Sequence, residues 1–270
     1  HNIKTVFYIG GNDSMDTVLK LSDYAKAHHY DVNVIGIPKT IDNDLPITDH
    51  TPGFGSAAKF VATSLLEIAH DTYIYNIPSV TIVEIMGRNA GWLTAAAALA
   101  RNSYSMAPDL IYLPEAVFDK ERFIEDVKAI KEKRKNVIIA VSEGIKDSEG
   151  QYISASTSAV DSFGHKQLCG VGKTLENLLK AELGCKVRSI ELNVLQRAGG
   201  HIASLTDLEE AVMIGKTAAT LGAQGETAKM ICYKRLQNSP YQVETFAYDI
   251  HSIANGEKTV PLEWINEAQN

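Results

Sequence analysis

Short β-branched runs recur along this chain, and each is followed by a longer stretch with helical spacing. TVFYIG (5–10), DVNVIGI (31–37), SVTIVEI (79–85), DLIYLP (109–114) and NVIIAVSEG (136–144) have strand length and end in glycine, proline or polar residues. Between them the spacing predicts helices over 14–29, 54–75, 89–101 and 119–134. In the last of these, Phe123, Ile124, Val127 and Ile130 share one face, and Asp119 is placed to cap it. Strands alternating with helices require right-handed crossovers, which build a mostly parallel sheet covered on both faces. The expected fold is therefore α/β and doubly wound, with ligands bound beyond the carboxyl ends of its strands.

From about residue 145 the texture changes. KDSEGQYISASTSAVDSFGH reads as a long polar excursion. A helix over 165–183, a strand over 187–195 and a helix over 205–222 are expected next. The last opens on TDLEE, where Thr206 and Glu209 form a capping box. A strand-like KMICYK and a short helix complete the tail. This suggests a first α/β domain over 1–144, a second, smaller α/β lobe over 145–250 and a C-terminal segment over 251–270.

Composition narrows the function classes. With 45% apolar and 22% charged residues, the chain reads as an ordinary globular protein. A net charge of −7 gives no electrostatic reason to bind nucleic acid or an anionic membrane, so a polyanionic ligand must meet a local cationic pocket. Cys169, Cys185 and Cys232 are too few and too scattered for a disulfide framework or a zinc site, and a reducing cytoplasm is expected. No apolar run approaches the roughly 20 residues that span a bilayer. No signal peptide opens the chain; HNIKTVFYIGG starts almost directly on a strand, which suggests that a natural beginning precedes it.

Several motifs fall at the expected strand ends. YIGGNDSMDT is strand, glycine pair, polar turn and helix: Gly10 and Gly11 let a ligand approach the backbone, and the new helix offers unpaired N–H groups to a phosphate. An ordinary strand-to-helix turn capped by Asp13 or Ser14 reads equally well. IPKTIDNDLP places Lys39, Thr40, Asp42 and Asp44 in a loop stiffened by Pro38 and Pro46. One carboxylate can face a hydroxyl as general base while the other braces the loop, and Lys39 supplies charge where an anionic group moves. Arg88 in EIMGRNAGW suits a bidentate contact with an oxygen-rich ligand, and Arg188 and Arg197 bracket a strand as a phosphate monoester would require. Glu143 closes another strand.

These residues resemble the 6-phosphofructokinases, and more narrowly their pyrophosphate-dependent branch. The resemblance rests on the glycine turn at 10–14, PKTIDND at 38–44, TPGFGSAAK at 51–59, MGR at 86–88, SEG at 142–144 and LQRAGG at 195–200. It implies a phosphofructokinase-like fold, Mg²⁺ as cofactor, fructose 6-phosphate and pyrophosphate as substrates, and a homo-dimer or homo-tetramer. It further implies Asp42 as the base that deprotonates the sugar 1-hydroxyl. Thr40, Ile41 and Asp44 come from the same substrate loop; Met86, Gly87 and Arg88 hold the sugar phosphate; Glu143 meets a sugar hydroxyl. Arg188 and Arg197 match arginines that grip the 6-phosphate, one of them lent by a neighbouring subunit. Gly10, Gly11 and Ser14 match the donor turn, and Asn12 the position of a magnesium-associated aspartate.

Asp13 and Lys39 decide the donor. ATP-using members typically carry glycine at both positions. A carboxylate at 13 puts like charge where the α-phosphate of ATP would lie, whereas pyrophosphate ends before that point. Lys39 can offset the charge that spreads over the transferred and leaving phosphates. Ser79 and Val194 depart from the pattern, standing where an arginine and a histidine or tyrosine are usual. The family's amino-terminal GGxxPGxN phosphate loop also has no counterpart here. Two alternatives stay open: a non-catalytic or truncated sugar phosphate-binding module, and an ATP-dependent kinase.

Overall fold

The computed structural model describes residues 2–154 and 170–266. In chain order its elements are β1 (Thr5–Gly10), α1 (Asn12–Ala27), β2 (Asn33–Pro38), α2 (Phe54–Ile74), β3 (Ser79–Ile85), α3 (Trp92–Ala95), β4 (Leu110–Tyr112), α4 (Lys120–Lys133), β5 (Asn136–Ser142), α5 (Val171–Leu183), β6 (Lys186–Glu191), α6 (Leu205–Ala223), β7 (Lys229–Asn238) and β8 (Tyr241–Asp249). They form two units, His1–Ser56 with Ala203–Lys258 and Ala57–Ile202 with Thr259–Asn270. This division departs from the 1–144, 145–250 and 251–270 partition expected from sequence texture. The first unit is closed by a distant return of the chain, which texture along the sequence does not register.

In the first unit the strand order is β1-β2-β7-β8, parallel except for the β7–β8 hairpin. Alternate residues of β2 and β7 face opposite layers. Val34, Met230 and Cys232 pack with Met15 and Val18 of α1, while Ile35, Ile231 and Tyr233 pack with Ile214 and Ala218 of α6. Helices on both faces of a largely parallel sheet are the doubly wound arrangement read from the sequence. The hairpin extends beyond KMICYK; its outer arms are largely polar and exposed and bury no apolar face that would mark them as strands. The cap of α6 is Ser204, whose hydroxyl accepts from Asp207 N–H, and not the expected Thr206 and Glu209 box. The cap stands two residues earlier than expected, and the helix begins on the apolar Leu205.

In the second unit all four strands are parallel, in the order β4-β5-β3-β6. The last six residues of both β3 and β5 are buried, which explains their largely apolar sequences. Val80, Ile82, Val137, Ile139 and Val187 pack against Phe123 and Val127 of α4 and Leu175 and Leu179 of α5. Asp119 caps α4 as expected, accepting from Arg122 N–H at 2.8 Å. The expected 89–101 helix is a single turn, α3, continued as a 3₁₀ helix over Ala96–Ala100. The 187–195 strand stops at Glu191; Asn193 takes φ +46° and a 3₁₀ turn runs to Arg197. Most of the polar excursion and the start of the expected 165–183 helix lie outside the described residues, as does Cys169.

Candidate active site

In the first unit the carboxyl ends of β1 and β2 lie side by side, with Gly10 paired to Pro38 and Lys39 N–H donating to Gly10 carbonyl at 2.9 Å. Packing demands a glycine at position 10 and leaves little room at position 11. A Cβ on Gly10 would stand 2.0 Å from Ser14 Oγ, and one on Gly11 would press on Thr40 Cβ at 3.3 Å. The α1 helix opens on Gly11 with no side chain capping it, so its first N–H groups and its dipole are available to an anion. Asp13 and Lys39 are both exposed, on neighbouring turns.

The loop after Lys39 is held from within. Asp42 N–H donates to Thr40 Oγ1 at 3.1 Å, Thr40 N–H to Pro52 carbonyl at 3.2 Å, and Thr51 Oγ1 to Thr40 carbonyl at 2.7 Å. Ile41 lies against Gly53. Asp44 is half-buried; its Oδ2 receives Asn12 Nδ2 at 3.4 Å, and its Oδ1 is buried with no partner among the described residues. Burial, and secondarily the charge of Asp42, push the Asp44 carboxyl up to about 6. Asn12 also donates to Gly256 carbonyl at 3.1 Å, so its amide N–H groups brace Asp44 and the chain behind it. One contributor was missed in the sequence: Lys258 contacts this loop from below. No local motif marks it, since its partners are distant in the chain.

In the second unit the sequence-read residues split. Met86, Gly87, Arg88 and Glu143 gather at the carboxyl ends of β3 and β5. Gly87 holds φ +143° and donates its N–H to Glu143 Oε1 at 3.3 Å. A Cβ on Gly144 would fall 1.9 Å from Arg88 carbonyl, so these two loops meet backbone to backbone. Met86 N–H is held by Gln196 Oε1 at 3.2 Å. A cavity of about 110 Å³ opens here, lined by Glu84, Met86, Glu143, Glu191, Asn193 and Gln196. Three carboxylates on its wall disfavour an anion and suit hydroxyl donors. Burial above all pushes the Glu84 carboxyl up to about 7, with Glu191 and Glu143 adding to the shift and Gly172 N–H opposing it. Arg88 Nε is buried without a partner among the described residues, and Arg197 is exposed just after the cavity wall.

Arg188 is not there. It pairs with Thr81 in the β3–β6 register, five residues before Met86 and so roughly 16 Å from the carboxyl end. Its guanidinium contacts Asp71 Oδ2 at 2.9 Å, Thr72 Oγ1 at 3.0 Å and Thr81 Oγ1 at 3.2 Å. Ser79 lies toward the same, amino end of β3, paired with Lys186. Arg188 thus lies within β6 and Arg197 follows it, so the two arginines stand toward opposite ends of the sheet.

A divalent cation has a partial donor set. Among the described residues no group of three or more His, Cys, Asp or Glu side chains converges on one point. Yet Asp44 carries an unpartnered buried oxygen beside the charge of Asp42. That set fits Mg²⁺, which commonly takes one or two carboxylates and completes its shell with water and substrate phosphates. Asn12 can add only its neutral amide oxygen, since its amide N–H groups are engaged by Asp44 and Gly256.

Known proteins resemble this chain in sequence and fold. The chain is 43% identical over 269 residues to the pyrophosphate–fructose 6-phosphate 1-phosphotransferase of Xanthomonas campestris pv. campestris, covering 99% of this chain and 64% of that protein. It is 33% identical to a sulfofructose kinase of Alkalicoccus urumqiensis, covering 98% and 68%. The crystal structure of a pyrophosphate-dependent phosphofructokinase from Marinobacter aquaeolei superposes with a TM-score of 0.87 at 37% identity, covering all of this chain and 64% of that one. The chain thus spans about 64% of the length of the first and third of these proteins. Residues 1–221 match the family model described as Phosphofructokinase. The chain belongs to the phosphofructokinase family.

Proposed function

We propose that this chain carries the machinery for reversible phosphoryl transfer from pyrophosphate to the 1-hydroxyl of fructose 6-phosphate. The observation that carries this reading is the Thr40–Asp44 loop, cross-tied through Thr40 and Thr51 and set against the uncapped start of α1. Asp42 takes the hydroxyl proton as the oxygen attacks. Lys39 and the N–H groups of Gly11, Asn12 and Ser14 offset charge on the departing phosphate. When Mg²⁺ is bound, held by Asp42 and Asp44 with phosphate oxygens, it supplies further charge neutralisation. Asp13 excludes a nucleotide by like charge.

In the second unit, Glu143 accepts from a sugar hydroxyl, and Met86 and Gly87 shape the sugar seat. Arg88, with its unpartnered Nε, and Arg197 bind the phosphate ester. Arg188, at the other end of the sheet, serves the sugar phosphate of a second copy in a homo-dimer or homo-tetramer. The free thiols of Cys185 and Cys232 suit a reducing, cytoplasmic setting. No helix among the described residues is long and apolar enough to cross a membrane.

The test is turnover with pyrophosphate, fructose 6-phosphate and Mg²⁺, none with ATP, and loss of turnover in Asp42→Ser. Calorimetric binding of fructose 6-phosphate without turnover makes the chain a binding module instead, and activity with ATP alone overturns the donor assignment. A second reading changes only the far end of the sugar. The sulfofructose kinase relative and the exposed Val194 favour it, and the 6-sulfonate in the same assay decides.

A further inference from the structure

Behind the loop that carries Asp42 and Asp44 stands a cation from the last residues of the first unit. Lys258 Nζ donates to Asn43 Oδ1 at 3.3 Å and to the carbonyls of Thr48 and Asp49 at 3.0 and 2.9 Å. Its backbone N–H donates to Asp44 carbonyl at 2.7 Å. Two residues earlier, Gly256 carbonyl accepts from Asn12, which also reaches Asp44 Oδ2. One short segment therefore ties the loop both to its own far side and to the start of α1.

The point it grips matters. Asn43 lies between the two carboxylates and holds φ +55°, a left-handed conformation that Asn and Gly enter far more readily than other residues. The backbone angles of Asn43 set the relative directions of Asp42 and Asp44. A clamp on its side chain fixes that setting, and a flexible turn would not. The clamp is also costly, because the Lys258 ammonium is drawn out of water to reach these part-buried acceptors. A contact needed only for packing could be made by an apolar side chain of the same length without this desolvation. Lys258 lies beyond residues 1–221, the span matched by the family model.

We propose that Lys258 is a positioning residue of the phosphoryl-transfer loop: by clamping Asn43 it sets the direction in which Asp42 and Asp44 point. This rests on the reading of Asp42 as the base, so the test has one arm that needs no turnover. In ¹⁵N-labelled full chain, Lys258→Met is expected to displace the amide signals of Asp42, Asn43 and Asp44 and to speed their hydrogen exchange about tenfold, with signals elsewhere and the thermal midpoint nearly unchanged. In the pyrophosphate assay, kcat is expected to fall roughly 100-fold while both KM values stay within about threefold. Lys258→Gln, which keeps a donor, is expected to recover part of both effects and serves if the methionine variant fails to fold. Loop signals that superimpose on wild type overturn the proposal, as does displacement of the loop with kcat unchanged. A wild-type chain that binds but does not turn over overturns the base assignment instead, and the amide arm then decides whether Lys258 orders the loop.

Discussion

At the scale of single residues, the site is a contrast between groups left exposed and groups given a backing. Asp13 and Lys39 stand in solvent, where they can meet a donor; Asp44 is sunk and braced by Asn12. Asp42→Asn keeps the shape and removes the proton acceptor, so kcat should fall by about 10²–10⁴ with KM little changed, measured in both reaction directions. Asp13→Gly removes the like charge and bulk at the donor turn. It should give measurable ATP turnover, and an unchanged preference for pyrophosphate would move the donor choice elsewhere. That Lys39, Asp42 and Asp44 share one stiff loop was legible from their spacing. The raised acidity range of Asp44 was not, because burial is a property of the packed loop.

At the scale of elements, two carboxylates serve the ends of helices. Asp207 accepts from Gly53 N–H at 2.9 Å and from Ser56 N–H at 3.1 Å, closing the start of α2. Asp207→Ala should cost roughly 2–4 kcal/mol in urea unfolding, since it leaves two helix-start donors without an acceptor. Glu84 performs the same service for α5 through Gly172 N–H while lining the acidic cavity. Its carboxyl sits near 7, above the ordinary value of 4.5, so the folded state holds this proton more tightly than the unfolded chain does. Stability should therefore fall as pH rises from about 4.5 to about 7 and level off above, with a ceiling of about 3 kcal/mol from this group. Glu84→Gln should flatten that slope, being more stable than wild type at pH 8 and matched to it near pH 4 by denaturant titration. The elements themselves were readable wherever strands are buried on both faces, as in SVTIVEI. They were missed in the β7–β8 hairpin, where the outer arms face water.

At the scale of the molecule, the position of Arg188 bears on assembly. It lies near the amino end of its sheet, engaged with Asp71 and Thr72, away from Met86, Arg88 and Glu143. If it serves a second copy, then Asp42→Asn and Arg188→Ala chains, each inactive alone, should regain activity when dissociated and reassociated together. Random pairing into dimers yields up to about a quarter of wild-type turnover, because one site in each hybrid keeps both groups. No recovery would confine Arg188 to a structural role.

The sequence by itself determined the alternation of strands and helices, the parallel α/β class and the family, since these follow from local periodicity and from loops whose residues are contiguous. Only the tertiary structure decided that residues 203–258 return to complete the first unit, that Arg188 and Arg197 part toward opposite sheet ends, and that Lys258 backs Asn43. Those outcomes depend on strand register and on contacts between distant segments, and a pattern read along the chain carries no distance across it.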